Sequence, residues 1–153
     1  EKNTDPLRNS IMIDKGEKDG VKIGQPVIVN NGVLTGKIIK VDSATSMVQL
    51  INDQQSKIAV TVMNNDRSLG IIEGGYGLSI QMNFIPQNES VLVGDTVITS
   101  GLEREIPYGL IIGAVVSVEK EAYQPFQKAA ISPLINLDKI RAVSVIINAK
   151  KSI

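Results

Sequence analysis

The chain of 153 residues carries sixteen basic and sixteen acidic side chains, and 42% of its residues are hydrophobic. Its length suits one ordinary domain or two small ones with a real core. The balanced charge, two Phe, three Tyr and no Trp argue against a nucleic-acid partner, which calls for basic excess and stacking aromatics. The absence of cysteine excludes disulfides and thiolate chemistry, and the absence of histidine removes the commonest general base and metal ligand.

Strand-forming residues dominate the apolar content. Isoleucine and valine together far outnumber leucine and alanine, and β-branched side chains favour strands. Pro125 and Pro133 interrupt the one stretch, 119–137, that could otherwise be helical, so helix should be scarce. Apolar runs separated by turn signals predict strands at 10–14, 26–30, 34–41, 47–51, 57–63, 69–73, 78–83, 96–99, 110–120, 126–131 and 140–147.

An internal repeat indicates two related halves. The pattern that begins at Gly24 and continues at Gly36 is echoed by one that begins at Gly94 and continues at Gly113, with extra length in the second copy. We therefore predict an all-β protein of two small, six-stranded-type β-barrel modules in tandem, with little helix. The expected division is a polar tail at 1–9, a first module at 10–76 and a second at 77–153. Strands near the termini could be exchanged between the modules.

Hydroxyl and acidic groups in one glycine-rich segment could suggest catalysis. Thr99 and Ser100 lie beside glycine and acidic residues, but no histidine exists to activate them, so a strand end entering a turn is favoured. Glu103 and Glu105 lie on a polar loop without an aromatic sugar platform, which favours solvated charges. The sequence predicts no enzyme, no cofactor and no metal. A hydrolase or a binding module that uses carboxylates remains the alternative.

A short aromatic segment is the candidate binding site. Tyr123, Pro125 and Phe126 follow a long predicted strand in a polar, proline-interrupted stretch. Aromatic side chains exposed in a loop commonly anchor a protein partner. The competing interpretation is that Phe126 packs into the core of the second module.

The longer pattern resembles a known family. The segments "IDKGEKDGVKIGQPVIVNNGVLTGKIIKV", "LINDQQSKIAVTV", "GIIEGGYG" and "VGDTVITSGLEREIPYGLIIGAVVSVEK" follow one another within residues 13–120. Their order is similar to that of the rod shape-determining protein MreC family, with a resemblance extending from about residue 10 to 147. The most specific element has the form G-D-x-V-x-T-S-G…P-x-G-x-x-x-G, and we interpret these residues as structural turns: Gly94, Asp95, Thr99, Ser100, Gly101, Pro107, Gly109 and Gly113.

The resemblance implies a function in the cell envelope. Members of the MreC family are single-pass membrane proteins with a coiled coil and an extracytoplasmic pair of β-barrels. The chain is thus expected to be a non-enzymatic scaffold of the bacterial elongation machinery, outside the plasma membrane, with a membrane anchor on the N-terminal side of this segment. The implied partners are the class B penicillin-binding transpeptidase, MreD, RodA and, through the N-terminal part, MreB. Homo-oligomerisation is also implied. The polar tail at 1–9 would then lead from the coiled coil, and the alternative function becomes a cell-wall-active hydrolase or a wall-binding module that uses carboxylates.

Overall fold

A computed structural model describes residues 9–77 and 79–147, and these residues are almost entirely β-structure. Their only helical elements are two short 3₁₀ turns, Glu17–Asp19 and Leu137–Lys139, so the predicted all-β class is confirmed. None of the described helical turns is long or apolar enough to cross a membrane. The strands are β1 (Ser10–Ile13), β2 (Pro26–Val29), β3 (Val33–Val41), β4 (Ser46–Leu50), β5 (Lys57–Val62), β6 (Leu69–Tyr76), β7 (Ser79–Pro86), β8 (Thr96–Thr99), β9 (Ile111–Glu119), β10 (Phe126–Pro133) and β11 (Ser144–Val145).

Three parts of the sequence predictions lie outside the described residues. They are the tail at 1–9 except for Asn9, position 78 at the start of a predicted strand, and 148–153 at the end of the second predicted module.

Six strands close into a barrel. β5 pairs with β6, β6 with β7, β7 with β10, β10 with β9, β9 with β8, and β8 returns to β5, always antiparallel. Closure removes sheet edges and encloses one continuous apolar core. Side chains at alternate positions of these strands fill that core, including Ile58, Val60, Ile72, Ile80 and Met82.

The remaining strands form a second, open sheet in the order β1–β4–β3–β2–β11. It has its own smaller core, with Val27, Ile38 and Val48 fully buried. A single parallel bridge from Val33 of β3 to Ile111 of β9 joins it to the barrel. This sheet contains five of the described strands, and a groove of about 770 Å³ lies between β1 and the segment that carries β11. Among the described residues, therefore, hydrogen bonds close the second barrel but not the first.

The internal repeat of the sequence reappears in the hydrogen bonds. The backbone N–H of Gly24 donates to the carbonyl of Ile38 at 2.8 Å, and that of Gly94 donates to the carbonyl of Val115, also at 2.8 Å. Both glycines have a left-handed backbone, with φ of 93° and 96°. The ladder then continues alike in both halves, with Val27 opposite Gly36 and Val97 opposite Gly113.

Strand pairing crosses between the two halves of the sequence. β5 follows the first repeat but pairs with β8 of the second, while β11 follows the second repeat and pairs with β2 of the first. β6 and β7 form one hairpin on either side of residue 77. The predicted boundary between residues 76 and 77 lies within this hairpin, and the division into modules at 10–76 and 77–153 stays a prediction. Apolar alternation locates a strand, but it does not say which sheet receives it.

Candidate partner-binding surface

The surface begins with one end of the closed barrel, which we call the distal end. It carries the loops 63–68, 87–95 and 120–125, while the opposite end leads into the open sheet. Exposed apolar side chains gather at or near it: Met63, Leu69, Phe84, Leu92, Val93, Val116, Tyr123 and Phe126. Apolar side chains that share one exposed region commonly mark an interaction surface, whereas scattered ones do not.

An aromatic pair is the most distinctive feature of this end. The rings of Phe84 and Phe126 meet edge to face, with centroids 5.7 Å apart and planes at 83°. Their exposed fractions are 53% and 47%, so half of each residue faces solvent. Such a pair contributes about 0.5–1.5 kcal/mol beyond its buried area, and it holds both rings in a fixed orientation. The competing interpretation, in which Phe126 packs into the core of the second module, is therefore wrong.

Phe84 reaches this position through an irregularity in β7. Ile80 and Met82 point inward, so simple alternation would turn Phe84 into the core as well. Instead, the register against β10 shifts at this point, and Phe84 has a left-handed backbone with φ of 65°. Ile85 takes the inward position in its place. A bulky residue in this conformation stores roughly 1–3 kcal/mol of strain, which is commonly found at functional sites.

The loop of Tyr123 is tied to the turn that follows β7. Tyr123 is fully exposed and has a φ of 67°. The backbone N–H of Gln87 donates to the carbonyl of Pro125 at 3.0 Å, and its side-chain amide donates to the carbonyl of Glu121 at 3.1 Å. These two bonds fix the loop that contains Tyr123 and Pro125 beside the aromatic pair. The structure thus brings all three predicted anchor residues to the distal end.

The hydroxyls of the family motif are used in local hydrogen bonds. Thr99 is buried, donates from Oγ1 to the carbonyl of Pro107 at 2.6 Å and accepts from the N–H of Leu110 at 2.9 Å. The hydroxyl of Ser100 accepts from the N–H of Leu102 at 3.2 Å. Both groups therefore organise the loop 100–109 between β8 and β9.

The other motif residues shape turns. The carboxylate of Asp95 accepts from the N–H of Leu92 at 2.9 Å, which closes the turn before β8. Gly94, Gly101 and Gly109 have positive φ, whereas Gly113 lies where another strand passes closely.

Glu103 and Glu105 differ from the expectation of fully solvated charges. Glu103 is two-thirds buried, accepts from the N–H of Ala59 at 3.0 Å and lies 3.8 Å from the ammonium of Lys37 on the open sheet. Glu105 packs its side chain beside Gly24, also of the open sheet. The extra length of the second repeat lies within this loop, and the loop contacts both parts of the structure. Within the described residues, no group of three or more acidic, Cys or His side chains could hold a metal ion.

Phe84 and the turn after it are the parts of this surface that sequence reasoning missed. The available signal was a phenylalanine followed by "IPQNES", an apolar residue before a proline-containing polar loop. That signal does not distinguish an exposed ring from a buried one.

Comparisons with known proteins identify the family. Residues 1–147 match the family described as "Rod shape-determining protein MreC, barrel core". The chain belongs to the MreC family. It is 32% identical over 150 residues to the cell shape-determining protein MreC of Escherichia coli K12, covering 97% of this chain and 40% of that protein. The chain thus spans about two fifths of the length of this curated relative. The family is named for determining rod shape and not for a catalytic activity.

Solved structures agree with this assignment. The crystal structure of MreC from Pseudomonas aeruginosa superposes with a TM-score of 0.85 at 30% identity, covering 95% of this chain and 93% of that one. Two structures that are more distant in sequence share the fold. The major periplasmic domain of MreC has a TM-score of 0.79 at 21% identity, covering 88% of this chain and 83% of that one. A complex between Penicillin-Binding Protein (PBP2) and MreC from Helicobacter pylori has a TM-score of 0.64 at 19% identity, covering 76% and 73%.

Proposed function

We propose that this chain is the extracytoplasmic part of a non-enzymatic scaffold of the bacterial elongation machinery, which organises cell-wall synthesis enzymes to maintain cell shape. Membership of the MreC family supports the role in shape determination, and the similarity to a major periplasmic domain of MreC supports the location. The proposal extends to a membrane anchor, to homo-oligomerisation and to contacts with MreD, RodA and MreB in the full-length protein.

The proposed mechanism is binding of the class B penicillin-binding transpeptidase. A structure similar to this chain is a complex between a penicillin-binding protein, PBP2, and MreC, which supports the choice of partner. A scaffold of this kind would act by binding one conformation of the enzyme more tightly than another.

The observation that carries the proposed contact is the exposed Phe84–Phe126 pair. Aromatic anchors dominate the binding energy of protein interfaces, and their effect is greatest when they are held rigidly before binding. Here the anchors are aromatic and their orientation is restricted, since the two rings contact each other edge to face and the backbone of Phe84 lies in a bulge. Tyr123 and Pro125 extend the same surface on the neighbouring loop.

The experiment is a calorimetric titration of this chain with the soluble extracytoplasmic domain of the class B transpeptidase from the same organism. Phe84→Ala and Phe126→Ala should each weaken binding by about 2 kcal/mol, roughly 30-fold. Leu134→Ala is the control, because Leu134 is also about half exposed but follows β10 at the opposite end of the barrel.

Each outcome bears on a different part of the proposal. Tight binding that both phenylalanine variants lose, while Leu134→Ala retains it, would support the partner and the surface. Binding that survives both substitutions would move the contact elsewhere. Failure of the unchanged protein to bind at high concentration would contradict the choice of partner. Circular dichroism of each variant provides the check on folding.

A further inference from the structure

A buried glutamine lies between the two aromatic anchors. Gln127 follows Phe126 on β10 and pairs with Ile85, the residue after Phe84, on β7. Its exposed fraction is 1%, so its polar side chain occupies an inward position near the distal end of the barrel. Nearly all buried polar groups in native proteins are hydrogen-bonded, and a polar side chain in such a position therefore needs specific partners.

The partners of Gln127 are the two ends of the turn that follows β7. Its side-chain amide donates to the carbonyl of Pro86 at 2.8 Å and to the carbonyl of Glu89 at 2.6 Å. The turn itself is closed by the N–H of Glu89, which donates to the carbonyl of Pro86 at 3.2 Å. Among the described residues, Gln127 is the only donor to the carbonyl of Glu89. Both N–H groups of one amide thus fix this turn to β10.

These two hydrogen bonds act close to the strained residue of β7. Pro86 follows Phe84 by two residues, and Phe84 keeps its left-handed backbone, with φ of 65°, only while the surrounding structure holds it. The core holds this part of the chain at Ile85, which is fully buried, and Gln127 holds it at Pro86. Without the second point of attachment, the bulge would be free to relax and to turn the ring of Phe84 away from its partner ring.

The position of the turn also determines how the two rings meet. Phe126 pairs with Pro86 across the sheet, so a turn fixed to β10 sets the position of Phe84 relative to Phe126. The ring centroids are 5.7 Å apart in this arrangement. An anchor that is held in its bound orientation before binding loses less conformational entropy when the partner arrives. A residue that fixes the aromatic pair therefore raises affinity without touching the partner.

We infer that Gln127 is a positioning residue of the partner-binding surface: it holds Phe84 and Phe126 edge to face before the transpeptidase binds, and it acts only through these rings. This inference rests on the proposed function, since it concerns how the proposed contact is prepared. Gln25, which precedes β2 of the open sheet, offers a comparison. It is also fully buried, and its amide donates to a backbone carbonyl, that of Ile147, at 2.9 Å.

The first test needs no partner. The chain contains only two phenylalanines, so labelled phenylalanine gives an NMR spectrum with the ring signals of Phe84 and Phe126 alone. Gln127→Met keeps the length of the side chain but removes the donor, and it should shift both sets of ring signals and weaken the nuclear Overhauser effect between the two rings. Gln25→Met is the matched control and should leave both unchanged.

The outcome of this test does not depend on the identity of the partner. An unchanged ring contact in folded Gln127→Met would overturn the inference even if the transpeptidase binds as proposed. Gln127→Asn, whose amide is one carbon shorter and cannot reach both carbonyls, should have a smaller effect in the same direction. It provides the measurement if Gln127→Met fails to fold, and an unchanged ring contact in it would count equally against the inference.

The second test measures binding of the transpeptidase domain. Gln127→Met should weaken it roughly tenfold, whereas Gln25→Met should not. In a Phe84→Ala background, Gln127→Met should cause almost no further loss, because no ring pair is left to position. The same loss in both backgrounds, or full affinity in Gln127→Met, would overturn the inference and leave the proposed function intact. Failure of the unchanged protein to bind would instead contradict the proposed function and, with it, this role of Gln127.

Discussion

Gly113 offers the sharpest test of how this fold is held together. A Cβ at this position would lie 1.9 Å from the carbonyl oxygen and 2.8 Å from the carbonyl carbon of Ser132 on the neighbouring strand β10. Ordinary C···O contacts are about 3.3–3.6 Å, so β9 and β10 would have to separate by more than about 1 Å. That movement would stretch the nearby bond from the N–H of Leu134 to the carbonyl of Ile112, now 3.0 Å.

The size of the effect of Gly113→Ala follows from these contacts. Overpacking costs about 1–3 kcal/mol, and a lost ladder hydrogen bond costs about 1 kcal/mol. The reduced entropy of the unfolded chain offsets about 0.4–1 kcal/mol. The free energy of unfolding should therefore fall by about 2–3 kcal/mol, equivalent to roughly 5–10 °C in melting temperature for a domain of this size. Urea unfolding followed by circular dichroism measures it.

Gly109 is the matched control from the same family motif. No atom lies within 4 Å of a Cβ there, but φ is +100°, so only backbone strain opposes a side chain. Gly109→Ala should cost about 1 kcal/mol after the same offset, and Gly109→Asn less, because asparagine tolerates positive φ. At Gly113 we expect asparagine to lower the free energy of unfolding more than alanine does, since asparagine is the larger residue. Equal costs at the two glycines, or the same order of alanine and asparagine at both, would refute this reasoning.

Three further substitutions test single contacts. Thr99→Val should lower the free energy of unfolding by about 2 kcal/mol in urea titrations, because it leaves a buried backbone N–H without an acceptor, whereas Ser100→Ala should cost less than about 1 kcal/mol; equal losses would contradict the contacts described. Gln25→Leu removes the amide that donates to the carbonyl of Ile147 at 2.9 Å, so the amides of β11 should exchange with deuterium faster while those of the barrel do not; unchanged exchange at β11 would count against this anchor. Glu103→Gln should destabilise by up to about 1 kcal/mol in low salt and by less in high salt, since its carboxylate is partly screened by solvent; an effect independent of salt would exclude an electrostatic contribution from Lys37.

The sequence located the strands well because a strand is a local pattern. Predicted strands at 57–63 and 96–99 correspond to β5 and β8 within one residue. The repeat of Gly24 and Gly94 was also visible, because a left-handed turn before a strand requires the same residue type in both halves. Such features depend only on neighbouring residues, so they can be recognised in a single sequence.

The pairing of those strands was not readable in the same way. β5 and β11 each leave their own repeat and join the other, and nothing in their alternation of apolar side chains differs from that of a strand that stays. The role of Glu103 between the two parts was hidden for the same reason, because its partners Ala59 and Lys37 both lie far away in the chain. A polar loop residue gains a structural contact only when the fold brings such a partner to it.

The binding surface, too, was predictable only where it depends on local sequence and not where it depends on strand pairing. The amino-acid sequence alone indicates an all-β chain without the side chains for thiol or histidine chemistry, and it predicts Tyr123, Pro125 and Phe126 as the binding residues. The place of Phe84 beside them depends on the fold, because a bulge against β10 reverses the side to which its ring points. Apolar alternation has a period of two residues and depends only on neighbouring residues in the sequence. A bulge depends on how two strands that are distant in the sequence pair with each other. One extra residue in one strand is enough to move an aromatic ring from the core to the surface.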